Sequence, residues 1–490
     1  MRIENIMPQY QSFLCDESRL SGFSDHIVFP NTINDICEVL NRINKDGNTV
    51  TVQGSRTGMV GGAVPQGGLV LNLSKMNQIF DEAQNEKLGY ICVQAGATLH
   101  QIEEVANASN LFFPPNPTEQ TATIGGIFAS NAQGPSCLIY GESSKYIHGL
   151  SWITPKGTLW KIKRGDYVFK ENKCSLPDGE ELIIPSDLPH SPVKLFEEGM
   201  DLVDFLAGSE GSLGVAAEFE LKLLPLPKEV WGVVYFFSNS EQSSAFAKQL
   251  LDWNKDDNSA SLMAAEFYNE GALKLLDESR QNSALLKALP QFPINTSAAI
   301  YVELCGDDID AVENALMQHL DYFSDVGGEE EDTWAESGFS SIQRFRDMRH
   351  AIPSILNEMI DLDLENHDKK WETDFSGCPE MFDDFLKIYN QALLDYKLKG
   401  LIYGHILQNK MHLALLPQTL EQQSVCKDLV YSISKQVMQK NGFLITENGV
   451  GLLKQSLVND FMPPMVGDTI EKTRMTFDRD KCMKYRGEEE

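Results

Sequence analysis

The sequence predicts an α+β fold built from more than one domain. Its 490 residues correspond to two or three domains at roughly 150 residues each. Short β-branched runs alternate with helical runs over residues 25–110, and a second mixture of strands and helices occupies residues 228–330. Hydrophobic residues make up 42% of the chain, which is ordinary for a protein with a sizeable core.

The first predicted helix is Thr32–Asn44, where apolar residues recur at helical spacing after the capping residues Asn31 and Thr32. Asp46 and Gly47 end it, and Asn48–Gln53 then reads as a short β-branched strand. The same patterns predict further strands at 68–73, 90–95, 149–154, 215–224, 230–237 and 298–304, and further helices at 98–109, 240–253 and 309–323. Residues 161–194 are polar and rich in proline and glycine, so we expect an insertion or long loop there.

Charge and composition narrow the classes of function. The chain has 71 acidic and 41 basic residues, a formal net charge of −30, which disfavours binding to nucleic acid or to anionic lipid. The N-terminus has no signal-peptide pattern, and no apolar run reaches the roughly 20 residues that span a bilayer. We therefore expect a soluble, cytoplasmic protein without an integral membrane segment. Nine dispersed cysteines, none in a C-x-x-C pair, indicate reduced thiols.

A glycine-rich segment, Gln53–Gly68, is the first candidate site. It reads QGSRTGMVGGAVPQGG, and six of its sixteen residues are glycine. Successive free N–H groups in such a turn form an anion-binding nest, for which a pyrophosphate is a suitable guest. A strand and not a helix follows, and neither G-x-G-x-x-G nor a P-loop motif is present, so dinucleotide-binding and P-loop folds are excluded. A glycine-rich turn without a ligand is the alternative.

Two further clusters of small residues favour a cofactor. Residues 113–134 read FPPNPTEQTATIGGIFASNAQG, with rigid prolines followed by a small-residue stretch, and residues 207–214 read AGSEGSLG. Small residues and rigid turns allow a backbone to lie against a planar cofactor.

In order and spacing these three clusters resemble the flavin-binding domain of the vanillyl-alcohol oxidase / p-cresol methylhydroxylase (PCMH-type) superfamily. The resemblance is to its D-2-hydroxyacid dehydrogenase branch, which includes D-lactate dehydrogenases, the glycolate oxidase flavin subunit and D-2-hydroxyglutarate dehydrogenase. It implies a two-subdomain FAD-binding domain over 1–227, an α+β substrate or cap domain with an antiparallel sheet over 228–440, and a segment over 441–490 that returns to the FAD domain.

The resemblance also implies which residues bind FAD. The glycine-rich segment would cradle the pyrophosphate, the second cluster would line the isoalloxazine and ribityl groups, and the third would lie near the adenine half or in the domain core. The implied residues are Gln53, Gly54, Ser55, Arg56, Thr57, Gly58, Gly61, Gly62, Pro117, Thr118, Thr123, Gly125, Gly126, Ser130, Asn131, Glu210, Gly211 and Val215. No histidine lies within Gln53–Gly68, so we expect non-covalent FAD, with His148 as the alternative attachment point.

A candidate metal site lies in the second half. His405 and His412 flank a polar turn in LIYGHILQNKMHLALL, and two strands meeting at that turn would bring both imidazoles together. Glu447 could add a carboxylate, which would give two histidines and a carboxylate around a divalent ion such as Zn, Mn or Fe. From the residues alone, two unrelated histidines and a surface glutamate remain the alternative. The resembling branch carries G-H-x-x-D-G-N-x-H and E-H-G-[IV]-G segments, in which the two histidines and the glutamate bind a metal beside the substrate.

Two departures from that pattern concern the chemistry. The family's Asp-Gly-Asn turn is Gln408-Asn409-Lys410 here, and the histidine that would accept the substrate proton is replaced by Asn448. Asparagine cannot act as a general base. Another group or a metal-bound hydroxide could accept the proton instead, or the enzyme is altered or inactive. His350, in the candidate substrate segment, is one candidate for a replacement base, and an exposed helix histidine is the alternative for it.

The segment Phe345–Pro353 is the candidate substrate-binding helix. Arg346 and Arg349 share one helix face, and a guanidinium suits bidentate binding of a carboxylate. Two solvated arginines are the alternative. The resemblance favours Arg349 for the substrate carboxylate and Lys370 for the same pocket.

Together these features predict an FAD-dependent oxidoreductase acting on a small 2-hydroxy acid. An electron-transfer flavoprotein, a quinone, a cytochrome or oxygen would reoxidise the flavin, and a homodimer is an open possibility. A same-scaffold enzyme for another alcohol or sugar acid, and a flavin-binding subunit without turnover, are the alternatives that Asn448 leaves open.

Overall fold

The computed structural model describes residues 2–85, 89–114, 117, 119–254, 259–362 and 371–484. Thr118 and Lys370, both predicted site residues, lie outside these ranges. Contacts divide the chain into two units. The first unit comprises residues 1–134, 141–226 and 447–490, and the second comprises residues 135–140 and 227–446.

The strands of the first unit are β1 (Glu4–Asn5), β2 (His26–Val28), β3 (Val50–Gln53), β4 (Leu69–Asn72), β5 (Ile79–Asn85), β6 (Tyr90–Gln94), β7 (Leu111–Phe112), β8 (Ile147–Ile153), β9 (Leu159–Lys163), β10 (Lys173–Ser175), β11 (Glu181–Ile183), β12 (Val215–Lys222) and β13 (Leu224–Pro225). Those of the second unit are β14 (Glu229–Phe237), β15 (Ser261–Asn269), β16 (Ala298–Gly306), β17 (Thr333–Ser337), β18 (Phe375–Ser376), β19 (Gly400–His405) and β20 (Lys410–Leu415).

The helices, in chain order, are α1 (Ile33–Asp46), α2 (Leu99–Asn107), α3 (Ile124–Ser130), α4 (Cys137–Tyr140), α5 (Leu202–Leu206), α6 (Ser240–Trp253), α7 (Glu270–Ser279), α8 (Ala284–Lys287), α9 (Ile309–Asp325), α10 (Phe339–Leu362), α11 (Phe382–Asp395), α12 (Leu420–Gln439), α13 (Gln455–Phe461) and α14 (Pro464–Phe477). Short 3₁₀-helices lie at Pro8–Leu14, Ser143–Tyr146, Glu330–Asp332, Pro379–Met381 and Ile406–Gln408.

Two sheets share the core of the first unit. One has the order β1-β2-β4-β3, with β4 parallel to both β2 and β3. The other is antiparallel with the order β5-β6-β12-β8-β9. Buried residues of both sheets belong to one hydrophobic cluster. The α+β architecture with two sheet layers in this unit and an antiparallel sheet in the other confirms the predicted fold class.

Helix α1 shows how local sequence places these elements. The Thr32 side chain accepts a hydrogen bond from the Asp35 amide, and the Asp35 carboxylate accepts one from the Thr32 amide, which forms a capping box. Gly47 ends the helix in the left-handed conformation with φ 67°. The apolar stripe that the sequence predicted is buried, at Ile36, Val39, Leu40 and Ile43.

The polar stretch at 161–194 differs from the predicted loop because it contains the hairpin of β10 and β11. Each strand buries only its central residue, Cys174 or Leu182, in the core of the first unit. Because an alternation over three residues is too short to be distinct in a polar sequence, the sequence pattern does not predict this hairpin.

The C-terminal segment joins the first unit beside β3. The Val50 amide donates to the Cys482 carbonyl at 2.8 Å, and the Lys484 amide donates to the Val50 carbonyl at 3.0 Å. Cys482 and Met483 are buried in the same core cluster.

The second unit is a seven-stranded antiparallel sheet with the order β17-β14-β16-β15-β19-β20-β18. Val234 and Phe236 on β14 belong to a core that includes residues of α7, α8 and α10. Tyr235 and Phe237, which alternate with them, pack against the Phe246 ring of α6. Both faces of the sheet are therefore covered by helices.

His319 on α9 is fully buried in this unit. Its ring centroid lies 4.7 Å from that of Trp253, in an edge-on contact. Burial lowers the pKa of His319 to about 4. The imidazole is therefore neutral at neutral pH and contributes to the core as an aromatic ring.

Within the described residues, none of the helices is both long enough and apolar enough to cross a bilayer. All nine cysteines lie in the described ranges, and no disulfide joins any two of them.

Candidate functional site

The glycine-rich segment connects the parallel strands β3 and β4. The side chain of Gln53, at its start, forms hydrogen bonds that hold the segment in place. The buried Gln53 amide nitrogen donates to the carbonyls of Phe13, at 2.8 Å, and Ala63, at 2.7 Å. Asn72 at the end of β4 donates to the Gln53 side chain at 3.3 Å and to the Gly54 carbonyl at 3.0 Å. The Gln53 side chain therefore shapes the loop through contacts with the protein itself.

The backbone amides of residues 55–58 form the feature that fits an anion. Within the part of the chain that the structure describes, the N–H groups of Ser55, Arg56, Thr57 and Gly58 have no hydrogen-bond partner. Arg56 adopts φ 63°, in the left-handed region, so consecutive peptides turn about this point. Successive free N–H groups in such a turn are what a pyrophosphate needs.

The second small-residue cluster is locked to this loop. Thr123 caps α3, its side chain accepts from the Gly126 amide at 3.3 Å, and its amide donates to the Ser55 hydroxyl at 3.2 Å. A Cβ on Gly54 would lie 2.1 Å from the Thr123 hydroxyl oxygen, so only glycine fits there. The two stretches predicted to bind one cofactor thus meet in the first unit.

Gly125 and Gly126 have different surroundings. A Cβ on Gly125 would lie 2.9 Å from the Ala95 carbonyl oxygen, which also accepts the Gly125 amide, so this glycine permits close packing of α3. Gly126 is exposed, and a Cβ there would meet only the Thr123 hydroxyl, at 3.3 Å. Gly126 therefore offers the more open surface for a flat ligand.

The end of α3 is also defined. The Ser130 hydroxyl donates to the Gly126 carbonyl at 3.0 Å. Asn131 ends the helix in the left-handed conformation, and its side-chain amide donates to Glu142 at 3.0 Å. Pro117 is buried.

The third cluster holds the C-terminal segment of the first unit. The Glu210 carboxylate accepts the amides of Val450, at 2.6 Å, and Gly451, at 3.1 Å. A Cβ on Gly449 would lie 2.8 Å from a Glu210 oxygen. Val215 is 1% exposed and pairs with Ile153 in the sheet, so it belongs to the core.

Three other residues of the first unit can be placed. Gly211 has φ 76°, and a Cβ there would contact Val52 at 3.5 Å. Gly61 has φ 80° and lies against Leu452. The ring of His148 on β8 packs 4.7 Å from the Tyr90 ring, centroid to centroid.

In the second unit, β19 and β20 form the hairpin that the sequence predicted around residues 406–409. His405 pairs with Lys410, and Tyr403 pairs with His412. Opposed residues share a face of a sheet, and so do residues two apart along a strand. His405 and His412 therefore project from one face of adjacent strands, and both are buried.

Each histidine is held through its Nδ1 atom. His405 Nδ1 forms a short contact with the Glu266 carboxylate, and His412 Nδ1 lies 3.0 Å from the Thr373 carbonyl oxygen. A carbonyl or carboxylate partner requires a proton on Nδ1 in a neutral imidazole, which leaves Nε2 as the lone-pair nitrogen. A metal-binding histidine is anchored in this same way.

Further potential ligand atoms lie beside both rings. An oxygen of Asp374 lies within 4.8 Å of a ring nitrogen of His412, and the Cys137 sulfur lies within 4.8 Å of one of His405. Thr446 donates to Asp374 at 2.8 Å, and Glu447 directly follows Thr446 in the chain as the first residue of the C-terminal part of the first unit. The donor types present, imidazole, carboxylate and thiol, fit a divalent transition metal.

Two buried glutamates on the same sheet bind the predicted arginines of α10. Arg346 makes a two-pronged ion pair with Glu303, at 2.7 and 2.6 Å, and Glu303 raises the pKa of Arg346 although burial opposes this. Arg349 approaches Glu266 less closely, with Nε 3.5 Å from the carboxylate, and its guanidinium lies over the Tyr403 ring at 4.7 Å. Both guanidinium nitrogens of the Arg346 fork that face Glu303 are used, so this fork is committed to a contact within the protein.

Tyr268 lies on β15 two positions after Glu266 and is not a proton acceptor. Burial, and then the Glu266 carboxylate, raise the pKa of Tyr268 well above its ordinary value, so the phenol stays protonated. His350 lies half-buried on α10, and Asn448 lies half-buried at the start of the C-terminal segment of the first unit.

Sequence reasoning missed Glu266, Asp374 and Cys137. Glu266 lies on β15, a strand that was not predicted, within AAEFYN, where one acidic residue interrupts an apolar run. Such an interruption in a buried strand was the available signal, because a buried carboxylate requires a partner. Asp374 and Cys137 carry no comparable pattern.

Comparisons with known proteins identify the family of this chain. An FAD binding domain family matches residues 24–163, and the C-terminal domain family of FAD-linked oxidases matches residues 233–483. D-lactate dehydrogenase of Anaerostipes hadrus is 23% identical over 96% of this chain and 90% of its own length. D-2-hydroxyglutarate dehydrogenase of Pseudomonas putida is 24% identical over 94% of this chain and 48% of its own length.

Two other similarities complete the comparison. The glycolate oxidase subunit GlcD of Escherichia coli is 28% identical over 59% of this chain and 50% of its own length. A solved structure of alkyldihydroxyacetonephosphate synthase superposes with a TM-score of 0.61 at 12% identity, covering 95% of this chain and 76% of that one. At that identity the structural likeness concerns the fold alone.

Proposed function

Because the chain belongs to the FAD-linked oxidases, we propose that it oxidises a small D-2-hydroxy acid at a bound FAD, with a divalent metal ion helping to hold the substrate. The observation that carries the substrate side of this proposal is the pair His405 and His412, which share a sheet face and have both Nδ1 atoms anchored. The names of the relatives, which act on D-lactate, D-2-hydroxyglutarate and glycolate, support a 2-hydroxy acid.

The first unit would hold FAD without a covalent bond. The unbonded amides of residues 55–58 would receive the pyrophosphate, and the exposed Gly126 would allow the ring system to lie close to the backbone. When bound, FAD supplies the acceptor for the hydride that leaves C2 of the substrate. The packing of the His148 ring on the Tyr90 ring supports a structural role for that imidazole.

The second unit would bind and orient the substrate. Arg349 would hold the substrate carboxylate, because Arg346 is committed to Glu303. His405 and His412, with Glu447 as the third ligand that the family pattern implies, would hold Zn, Mn or Fe. Such an ion adds Lewis acidity at the 2-hydroxyl and fixes its position relative to the carboxylate.

Asn448 supports a second candidate on the same scaffold. Asparagine accepts no proton at neutral pH, so the position that serves as base in the family pattern cannot do so here. This favours a different alcohol or sugar-acid substrate, or a flavin-binding subunit with altered catalysis. In an active enzyme, whichever its substrate, an electron-transfer flavoprotein, a quinone, a cytochrome or oxygen would reoxidise the flavin.

A substrate panel tests the proposal. Turnover would be measured with an artificial electron acceptor against D-lactate, glycolate, D-2-hydroxyglutarate, the L-enantiomers and a set of sugar acids. We expect turnover with at least one 2-hydroxy acid, and loss of that turnover after metal chelation. Turnover with sugar acids alone would favour the second candidate, and no turnover with any compound would favour the flavin-binding subunit.

A further inference from the structure

A buried thiol lies beside the proposed metal ligands. Cys137 belongs to the six-residue segment 135–140, which counts with the second unit although both flanking stretches belong to the first. The segment forms α4, which packs against β15. Cys137 is 1% exposed and belongs to the unit that carries both histidines.

The turn between β19 and β20 fixes Cys137 at two points. Gln408 donates from its side-chain amide to the Cys137 carbonyl at 3.1 Å, and the Cys137 thiol donates to the Gln408 amide oxygen at 2.8 Å. Lys410 Nζ lies 3.9 Å from the same sulfur.

The sulfur is also near a metal-binding nitrogen. The Cys137 sulfur lies within 4.8 Å of a ring nitrogen of His405. Zinc bonds of about 2.3 Å to sulfur and about 2.0 Å to nitrogen span at most roughly 4.3 Å, which is close to this upper bound on the separation of the two atoms. His405 Nδ1 is engaged by Glu266, so a metal ion on this ring would bond to Nε2.

We propose that Cys137 is a thiolate ligand of the divalent ion that His405 binds, an inference that rests on the metal role proposed above. When the metal–sulfur bond forms, the thiol proton leaves to solvent and no electron is transferred. A sulfur ligand makes the site prefer zinc to manganese, because thiolate is a soft donor and manganese prefers oxygen. In the alternative, Cys137 only packs in the core and bonds to Gln408.

X-ray absorption at the zinc edge of the zinc-loaded full-length protein separates these cases. We expect a sulfur scatterer at about 2.3 Å from zinc in the wild type, none in Cys137→Ser, and an unchanged sulfur signal in Cys426→Ser. Cys426 is the matched control because it is equally buried in the second unit and its thiol donates to the Gln422 carbonyl within α12.

Each outcome has a distinct meaning. Zinc surrounded only by nitrogen and oxygen in the wild type overturns the role of Cys137 and leaves the proposed metal site standing. Failure to bind zinc overturns both. The wild-type spectrum shows whether sulfur binds zinc even if Cys137→Ser does not fold. If that variant does fold, competition dialysis against zinc and manganese should show at least a tenfold fall in the preference for zinc.

Discussion

Replacing Glu266 by glutamine tests whether a buried carboxylate orients a metal-binding histidine. The substitution keeps the shape of the side chain but removes the charge that faces His405 Nδ1 and Arg349. Loss of such a partner behind a metal-bound imidazole typically weakens metal binding by about 10- to 100-fold, or roughly 1.4 to 2.8 kcal/mol. The expected effect on the metal dissociation constant is therefore within easy reach of measurement.

Glu303→Gln is the matched control for that experiment. Glu303 is as buried as Glu266 and is also paired with an arginine of α10, but its partners are Arg346 and Tyr301 and not a histidine. Both variants leave a largely buried arginine without its charged partner, so both should lower the free energy of unfolding.

The assay is competition for zinc with a chelating indicator dye, combined with thermal unfolding of each variant. Only Glu266→Gln should raise the zinc dissociation constant, while both should lower the melting temperature. Equal zinc affinity in the wild type and in Glu266→Gln would refute the reasoning. So would an equal loss in both variants, because that would indicate a general effect of destabilisation.

Three further predictions concern the cofactor, the substrate and acid stability. Gly58→Ala should fold normally, because its Cβ meets nothing within 4 Å, but it should weaken FAD binding at least about tenfold. The control Gly467→Ala on α14 should change neither folding nor FAD binding. An unaltered FAD affinity of Gly58→Ala in fluorescence titration would contradict this prediction. Arg349→Lys should raise KM roughly tenfold, because it loses one charged hydrogen bond of about 1.5 kcal/mol to the substrate. The control Arg346→Lys should mainly lower the melting temperature. An unchanged KM of Arg349→Lys in steady-state kinetics would exclude the proposed contact. Burial lowers the pKa of His319 to about 4, so below pH 6.5 the unfolded chain binds a proton that the folded protein does not, and stability falls as pH drops towards 4. Between pH 7 and pH 5 this costs about 2 kcal/mol, which denaturant unfolding of His319→Leu should not show; an identical pH dependence in that variant would contradict the assignment.

The sequence predicts those elements of the fold that short-range residue patterns define. The capping residues and apolar stripe of α1 and the bounds of α6 were predicted because short-range patterns define them. The β19–β20 hairpin followed from two apolar runs around a polar turn. The β10–β11 hairpin was missed because its strands bury one residue each.

Fewer contacts of the candidate site could be predicted from the sequence, because they join residues that are far apart in the chain. His405 and His412 are seven positions apart, and the turn between them pointed to both. Glu266 contacts His405 across 139 positions, and Cys137 contacts Gln408 across 271. Such contacts depend on strand order, which no local pattern encodes.

The commitment of Arg346 needed the structure for a different reason. Arg346 and Arg349 have the same chemistry and share a helix face in the sequence, where only the resemblance favoured Arg349. The two-pronged pairing of Arg346 with Glu303 joins residues 43 positions apart, and no local pattern indicates it.

Anaerobic mixing of the FAD-loaded protein with a D-2-hydroxy acid tests the central claim most directly. The account predicts loss of the oxidised flavin absorbance together with one 2-keto acid formed per flavin reduced, and no reduction by the L-enantiomer. Flavin that stays oxidised with every D-2-hydroxy acid, in protein shown to retain its metal and FAD, would contradict it.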